Sequence, residues 1–274
     1  MQYLTATASR VGDRKKNQDR VAILEQQDTV LLVLGDGLGG RPGGELAAET
    51  LIGVARQKFS QQAIPVKEPM AFMQELLETA HKAIVAEGKR QDPPLNPGTT
   101  AVLCLMQQGQ AWWTHVGDSR LYLFRGGEMV ERTQDHSVVE NMLAGGQLSS
   151  KDSSGHPLRN VVTRCLGMTE NPPIVTLSQK TPLKVGDIML LCSDGFWEPL
   201  GEKSMARGLF DGRLQDALND MAERAEKINA PQSDNVSAVA LQVMSLKLRT
   251  RSVPLKQKTP HPNFIKAGNP SRRN

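Results

Sequence analysis

Two apolar runs, each ending in an Asp-Gly pair, constrain this chain more than any other feature. Val30-Leu31-Leu32-Val33-Leu34 passes through Gly35 into Asp36-Gly37, and Ile188-Met189-Leu190-Leu191-Cys192 passes through Ser193 into Asp194-Gly195. Both are far shorter than the roughly 18 residues a membrane span needs, so they read as core strands. A fold built on them places a carboxylate where each strand leaves the core. Three more acids share that placement: Asp118 follows a strand at 111–117, Asp234 precedes one at 236–243, and Asp19 precedes one at 20–25.

One Asp-Gly alone is a turn, as Asp211-Gly212 reads here. The set is different. Carboxylates converging at one end of a sheet repel and raise each other's pKa, and bound divalent cations remove that cost. Oxygen ligands without a His or Cys pattern favour magnesium or manganese over zinc. Glycine after Asp36 and Asp194 lets backbone approach closely, and a glycine carbonyl can itself be a ligand. Such a site suits phosphate ester hydrolysis, in which two metals about 4 Å apart share a water and clamp the phosphoryl oxygens.

The 274 residues are 39% apolar with near-balanced charge, which excludes wholesale disorder. Eight of the 33 Lys and Arg, and none of the 29 Asp and Glu, fall in residues 245–274, leaving residues 1–244 with a net −4. We therefore expect one large domain over 1–244 and a basic, disordered, Pro-containing tail over 245–274 that binds no specific nucleic acid. Cys104, Cys165 and Cys192 are odd in number and widely spaced, which argues against a disulfide framework and for a reducing cytoplasm. The amino terminus lacks a secretory pattern.

Strands are expected at 20–25, 29–34, 100–106, 111–116, 120–125, 129–132, 174–178, 187–192 and 236–243, with those at 100–132 forming one antiparallel meander. Helices are expected at 44–59, with a face of Leu46, Thr50, Leu51, Val54 and Ala55, and at 69–87, 137–144, 203–209 and 214–228. Residues 134–164 read as a mobile surface insertion. The order points to an α+β fold with helices packed on antiparallel sheets.

Three phosphate-handling alternatives fit poorly. Gly35-Asp36-Gly37-Leu38-Gly39-Gly40 matches GxGxxG, but Asp36 would face the pyrophosphate and no βαβ unit closes. No GxxxxGK[ST] occurs. A cysteine phosphatase needs Arg six positions after its Cys, where this chain has Gln110, Asn171 and Glu198.

In order along the chain, Arg14–Asp19 (RKKNQD), Asp36-Gly37-Leu38-Gly39-Gly40, Gly98-Thr99-Thr100, Gly117-Asp118-Ser119-Arg120, Thr133–Ser137, Asn160–Arg164, Ser193-Asp194-Gly195 and Asp234-Asn235 resemble the motifs of the PP2C (PPM) family of metal-dependent protein serine/threonine phosphatases, bacterial form. The resemblance runs from about residue 12 to residue 243. It implies an αββα sandwich of two antiparallel sheets flanked by helices, with Mn2+ or Mg2+ in the cleft. It further implies that Asp36 bridges two metals with the Gly37 carbonyl on one, that Asp194 and Asp234 hold the other, and that Asp118 contacts a third, weaker one. Asp19 would orient metal-bound water, and Arg14 would bind the substrate phosphate, which suits a planar guanidinium. The segment 134–164 resembles the family's flap. Leu38 stands where the eukaryotic branch has a His proposed as general acid, and Gln18 stands where some members have Glu.

The expected activity is hydrolysis of phosphoserine and phosphothreonine in proteins, by a cytoplasmic monomer without a membrane span that opposes a serine/threonine protein kinase. Two alternatives stay open at this point: a binuclear-metal phosphoesterase acting on a small-molecule phosphate, and a non-catalytic phosphoprotein-binding module.

Overall fold

The structure is a computed structural model that describes residues 1–39, 42–149, 152, 155–168 and 171–246. Gly40, part of the insertion and nearly all of the basic tail lie outside the described residues, and with them the expectation of a disordered tail.

In chain order the elements are β1 (Gln2–Arg10), β2 (Asp19–Gln26), β3 (Thr29–Asp36), α1 (Gly44–Ser60), α2 (Pro69–Arg90), β4 (Ala101–Gln107), β5 (Gln110–Val116), β6 (Arg120–Arg125), β7 (Glu128–Arg132), α3 (Val138–Ala144), β8 (Thr176–Leu177), β9 (Thr181–Pro182), β10 (Ile188–Cys192), α4 (Asp194–Leu200), α5 (Glu202–Gly208), α6 (Leu214–Asn229) and β11 (Val236–Ser245). One sheet has the order β1-β11-β10-β6-β7. The other has β2-β3-β4-β5-β8, with β9 also paired to β5. The described pairings are antiparallel.

The continuous apolar runs are explained by two-sided burial. Along β3, Val30, Leu32 and Leu34 pack between the sheets, while Leu31 and Val33 pack under α1 and α2. Along β10, Met189 and Leu191 face the other sheet, while Ile188, Leu190 and Cys192 face α4, α5 and α6. Successive side chains on a strand point to opposite faces, so a strand with packing on both needs apolar residues throughout. The result is the expected αββα sandwich, with helices outside two central sheets.

Three readings change. The strands at 100–132 are not one meander: β4 and β5 pair in one sheet, β6 and β7 in the other. The chain crosses between sheets at Gly117–Ser119, a change of partner that local alternation cannot report. The buried face of α1 is Ala47, Ala48, Leu51, Ile52, Ala55 and Phe59, so Leu46, Thr50 and Val54 sit at its margin. β1 and α4 were not expected. β1 is an edge strand, mostly exposed, in which Thr, Ala and Ser follow Tyr3 and a half-exposed Leu4, so no apolar alternation runs along it. α4 is seven residues with Gly195 near its start and Pro199 inside it. The face expected on the second helix, Phe72, Leu76, Leu77, Ala80 and Ile84, is buried.

Candidate metal centre

The sandwich brings the strand-end carboxylates to one place. β3 and β2 are in register so that Asp36 lies opposite Asp19. The end of β3 is held by β4's approach: the Asp36 N–H donates to Thr100 Oγ1 at 3.0 Å, and Thr99 Oγ1 and the Thr100 N–H donate to the Asp36 carbonyl. Thr100 Oγ1 also contacts Ser119 Oγ at 2.7 Å, tying β3 to the crossing that carries Asp118. From the other sheet, Ser193 Oγ donates to Asp19 Oδ2 at 2.9 Å. Asp194 opens α4 directly after β10, and Asp234 immediately precedes β11.

A cavity of about 160 Å³ between these ends is lined by Arg14, Asp36, Gly37, Asp118, Asp194 and Asp234, together with Gln18, Leu38, Gly39, Asn160, Val162 and Asn235. Six of the seven residues singled out from the sequence therefore face one space. The seventh, Asp19, lies behind Asp36 and is 2% exposed.

Two close approaches require glycine here. A Cβ on Gly37 would stand 2.3 Å from the Gly44 carbonyl oxygen, and one on Gly195 would stand 2.2 Å from that of Asn235. Asn235 is a residue the sequence reading named in a motif but gave no role. Its Oδ1 accepts the Gln18 N–H at 2.8 Å, and its Nδ2 donates to the carbonyls of Val11 and Lys16. It thereby fixes the loop carrying Arg14 against β11. Its position beside Asp234 was the available signal. Asn160, from the insertion, also lines the cavity.

The electrostatics are those of acids packed together. Burial, then the charges of Asp19, Asp194 and Asp118, hold the Asp36 carboxyl well above the usual carboxylate range. Asp194 is raised in the same way by burial and by Asp118, Asp234 and Asp19. Asp118 is pushed up to about 7, mainly by burial and by Asp135. Asp19 is pushed up to about 6, mainly by burial.

No three His, Cys, Asp or Glu side chains among the described residues stand close enough to hold an ion as they are. The cause is local. Asp194 Oδ1 accepts its neighbour's Gly195 N–H at 2.6 Å; Asp234 accepts the Asn235 N–H at 2.7 Å and Arg14 Nη2 at 2.7 Å. The donor set nonetheless suits a hard divalent cation: carboxylates and a backbone carbonyl around a polar space. Asp19 Oδ1 is also buried with no hydrogen-bond partner, a cost that persists unless something else satisfies it.

Around this core, Arg120 grips Asp135 through two bonds of 2.7 and 2.8 Å and lies 3.3 Å over the Trp197 ring. Trp197 Nε1 donates to the Asp118 carbonyl. His136, at the start of the insertion, stacks on His115 with ring centroids 4.6 Å apart. Burial and the neighbouring His115 charge push His136 down to about 3, and burial also lowers His115. Both are neutral and structural at physiological pH, and neither lines the cavity.

Two antiparallel sheets clasping an acidic cleft between helical layers define the αββα class of phosphatase. The fold of a serine/threonine phosphatase from S. agalactiae superposes with a TM-score of 0.81 at 27% identity, covering 88% of this chain and all of that one. Residues 7–234 match the family described as protein phosphatase 2C, and the chain belongs to that family. The serine/threonine phosphatase Stp of Listeria innocua serovar 6a is 30% identical over 195 residues, 70% of this chain and 77% of that protein. The catalytic domain of the serine threonine protein phosphatase PstP, solved in complex with two manganese ions, superposes with a TM-score of 0.74 at 27% identity and covers 89% of this chain and 99% of that one. No helix among the described residues is long and apolar enough to cross a membrane.

Proposed function

We propose that this chain removes phosphate from phosphoserine and phosphothreonine side chains of proteins, with manganese or magnesium at two sites between its sheets. The supporting observation is the single cavity on which Arg14, Asp36, Gly37, Asp118, Asp194 and Asp234 converge from five separate stretches of sequence. Asp36 and the Gly37 carbonyl would serve one ion, Asp194 and Asp234 would join Asp36 on the other, and Asp118 would hold a weaker third. Bound there, the ions would supply a nucleophile at neutral pH and neutralise charge on the phosphoryl oxygens.

The chain's own groups do the rest. Arg14 is half-exposed and engages Asp234 through one nitrogen. The rest of its fork is free to take two phosphoryl oxygens, a bidentate geometry Lys lacks. Asp19 has one oxygen fixed by Ser193 and one buried without a partner, so that second oxygen can accept a hydrogen bond from water and orient it. Asn235 keeps Arg14 and Gln18 in place.

Residues 1–244 form the phosphatase domain on this reading, and residues 245–274 are dispensable for turnover. The enzyme would act as a cytoplasmic monomer and oppose a serine/threonine protein kinase. The test is phosphate release from a phosphothreonine peptide with manganese and with EDTA, for the native chain and Asp194→Asn. Turnover in the native chain should need the metal, and the variant should lose it while keeping its circular dichroism spectrum. Equal rates in the two proteins would remove Asp194 from the centre.

A further inference from the structure

α4 leads from the metal centre to a second concave surface. Asp194 at its amino end lines the acidic cavity, and Leu200 at its carboxyl end lines a groove of about 860 Å³. Six steps of helix at 1.5 Å each separate the two ends by about 9 Å. The groove is formed where α4, α5 and α6 meet, and its charged lining is Glu202, Lys203, Arg207, Asp211 and Arg224. Gly201 and Gly208 contribute no side chain to fill it.

The charge of this groove is opposite to that of the body around it. Residues 1–244 are net negative, yet Lys203, Arg207 and Arg224 are all exposed here. Arg224 makes a 3.3 Å bond to the neutral Ser204 hydroxyl, and among the described residues none of the three cations has an acidic partner within ion-pair distance. Of the two acids in the groove, Glu202 is engaged by Arg132 at 3.0 Å and Asp211 has no ion pair among the described residues, so the lining carries a net charge of +1. Other cations on or against the same helical layer are paired, Arg10 with Glu226, Arg213 with Asp216 and Lys227 with Glu223. Three unpaired cations converging on a concavity make a complementary surface for carboxylates.

We propose that this groove docks an acidic segment of the phosphoprotein substrate, held while the phosphorylated residue occupies the metal centre. The proposal rests on the phosphatase reading above. An extended chain spans roughly 3.3–3.6 Å per residue, so an acidic block beginning about three residues from the phosphorylated residue reaches from one site to the other. Docking of this kind acts on substrate choice and encounter, and leaves the reacting groups untouched.

The test compares two phosphothreonine peptides, one short and neutral, the other extended by four glutamates at that spacing, on the native chain, on Lys203→Glu/Arg207→Glu/Arg224→Glu and on the triple alanine variant. The native chain should show a KM roughly tenfold lower for the acidic peptide, the sum of three modest exposed pairs. That preference should vanish in the alanine variant, reverse in the glutamate variant and fade as salt is raised. The kcat for the neutral peptide should be the same in all three. An equal KM for both peptides on the native chain, or a preference that survives both variants, overturns the docking groove. Failure of the native chain to hydrolyse either peptide with manganese would instead reject the phosphatase reading. Self-association lost in the variants, or tighter anisotropy binding of a single-stranded oligonucleotide than of the acidic peptide, would assign the groove to another occupant.

Discussion

Asp19→Asn should stabilise the protein without its metal. Asp19 is 2% exposed, and its carboxyl is held up to about 6 against its ordinary value of 3.8, first by burial, with the Asp234 charge adding to it. Two pKa units and a little more, at 1.36 kcal/mol each, make its ionisation cost the fold about 3 kcal/mol at pH 8. The introduced amide keeps an acceptor for Ser193 Oγ and gains a donor toward Asp36. Burying that amide costs about 1 kcal/mol. The net gain is about 1–2 kcal/mol, a rise in Tm of about 3–6 °C for a domain of this size. The sign with pH follows from the raised value. Above pH 6 the folded chain carries a charge it disfavours. As pH falls from 6 toward 3.8 the folded state takes up its proton before the unfolded one, and the cost fades. The gain should be complete at pH 8 and absent at pH 4. Circular dichroism melts in EDTA at pH 8, 6 and 4 measure it, and a repeat at pH 8 with manganese should stabilise the native chain more than the variant. A lower Tm for the variant in EDTA at pH 8, or a gain independent of pH, would refute the account of the site as repelling acids awaiting cations.

Arg14→Ala should raise KM for a phosphopeptide several-fold with Tm within about 1 °C, since an exposed pair with Asp234 adds little stability; steady-state kinetics and a melt check both. Gly195→Ala sets a Cβ 2.2 Å from the Asn235 carbonyl oxygen, forcing α4 away from β11, and should cost about 2–4 kcal/mol in urea unfolding along with most turnover. Leu32→Ala opens a void between the sheets and should cost about 2–5 kcal/mol by the same assay. Deletion of residues 247–274 should leave kcat and KM for a phosphopeptide unchanged; a tenfold loss of turnover would place the tail in the catalytic machinery.

The strands were legible because each carries its own signal. β3 and β10 are apolar throughout, as two-sided burial demands, and the carboxylates at their ends are visible as letters in a row. The order of eight short motifs supplied the family. β1 gave no such signal, because an edge strand half in water needs no sustained apolar alternation, and after Tyr3 and Leu4 it has only Thr, Ala and Ser before Arg10. α4 gave none either, because Gly195 and Pro199 are poor helix formers. Its stability comes from Phe196 and Leu200 packing into the core under α6.

What the sequence alone determined was which residues are acidic, which segments are strands and where one meets the other, since these depend on neighbours along the chain. Which strands pair was decided by the tertiary structure. It split β5 from β6 across two sheets, set Asp36 against Asp19, and brought Asp194 and Asp234 to the cavity Asp36 lines. It also made Asn235 a clamp and gathered Lys203, Arg207 and Arg224 around one groove. Such contacts join residues distant in sequence, and only the packing of two sheets and their helices fixes them.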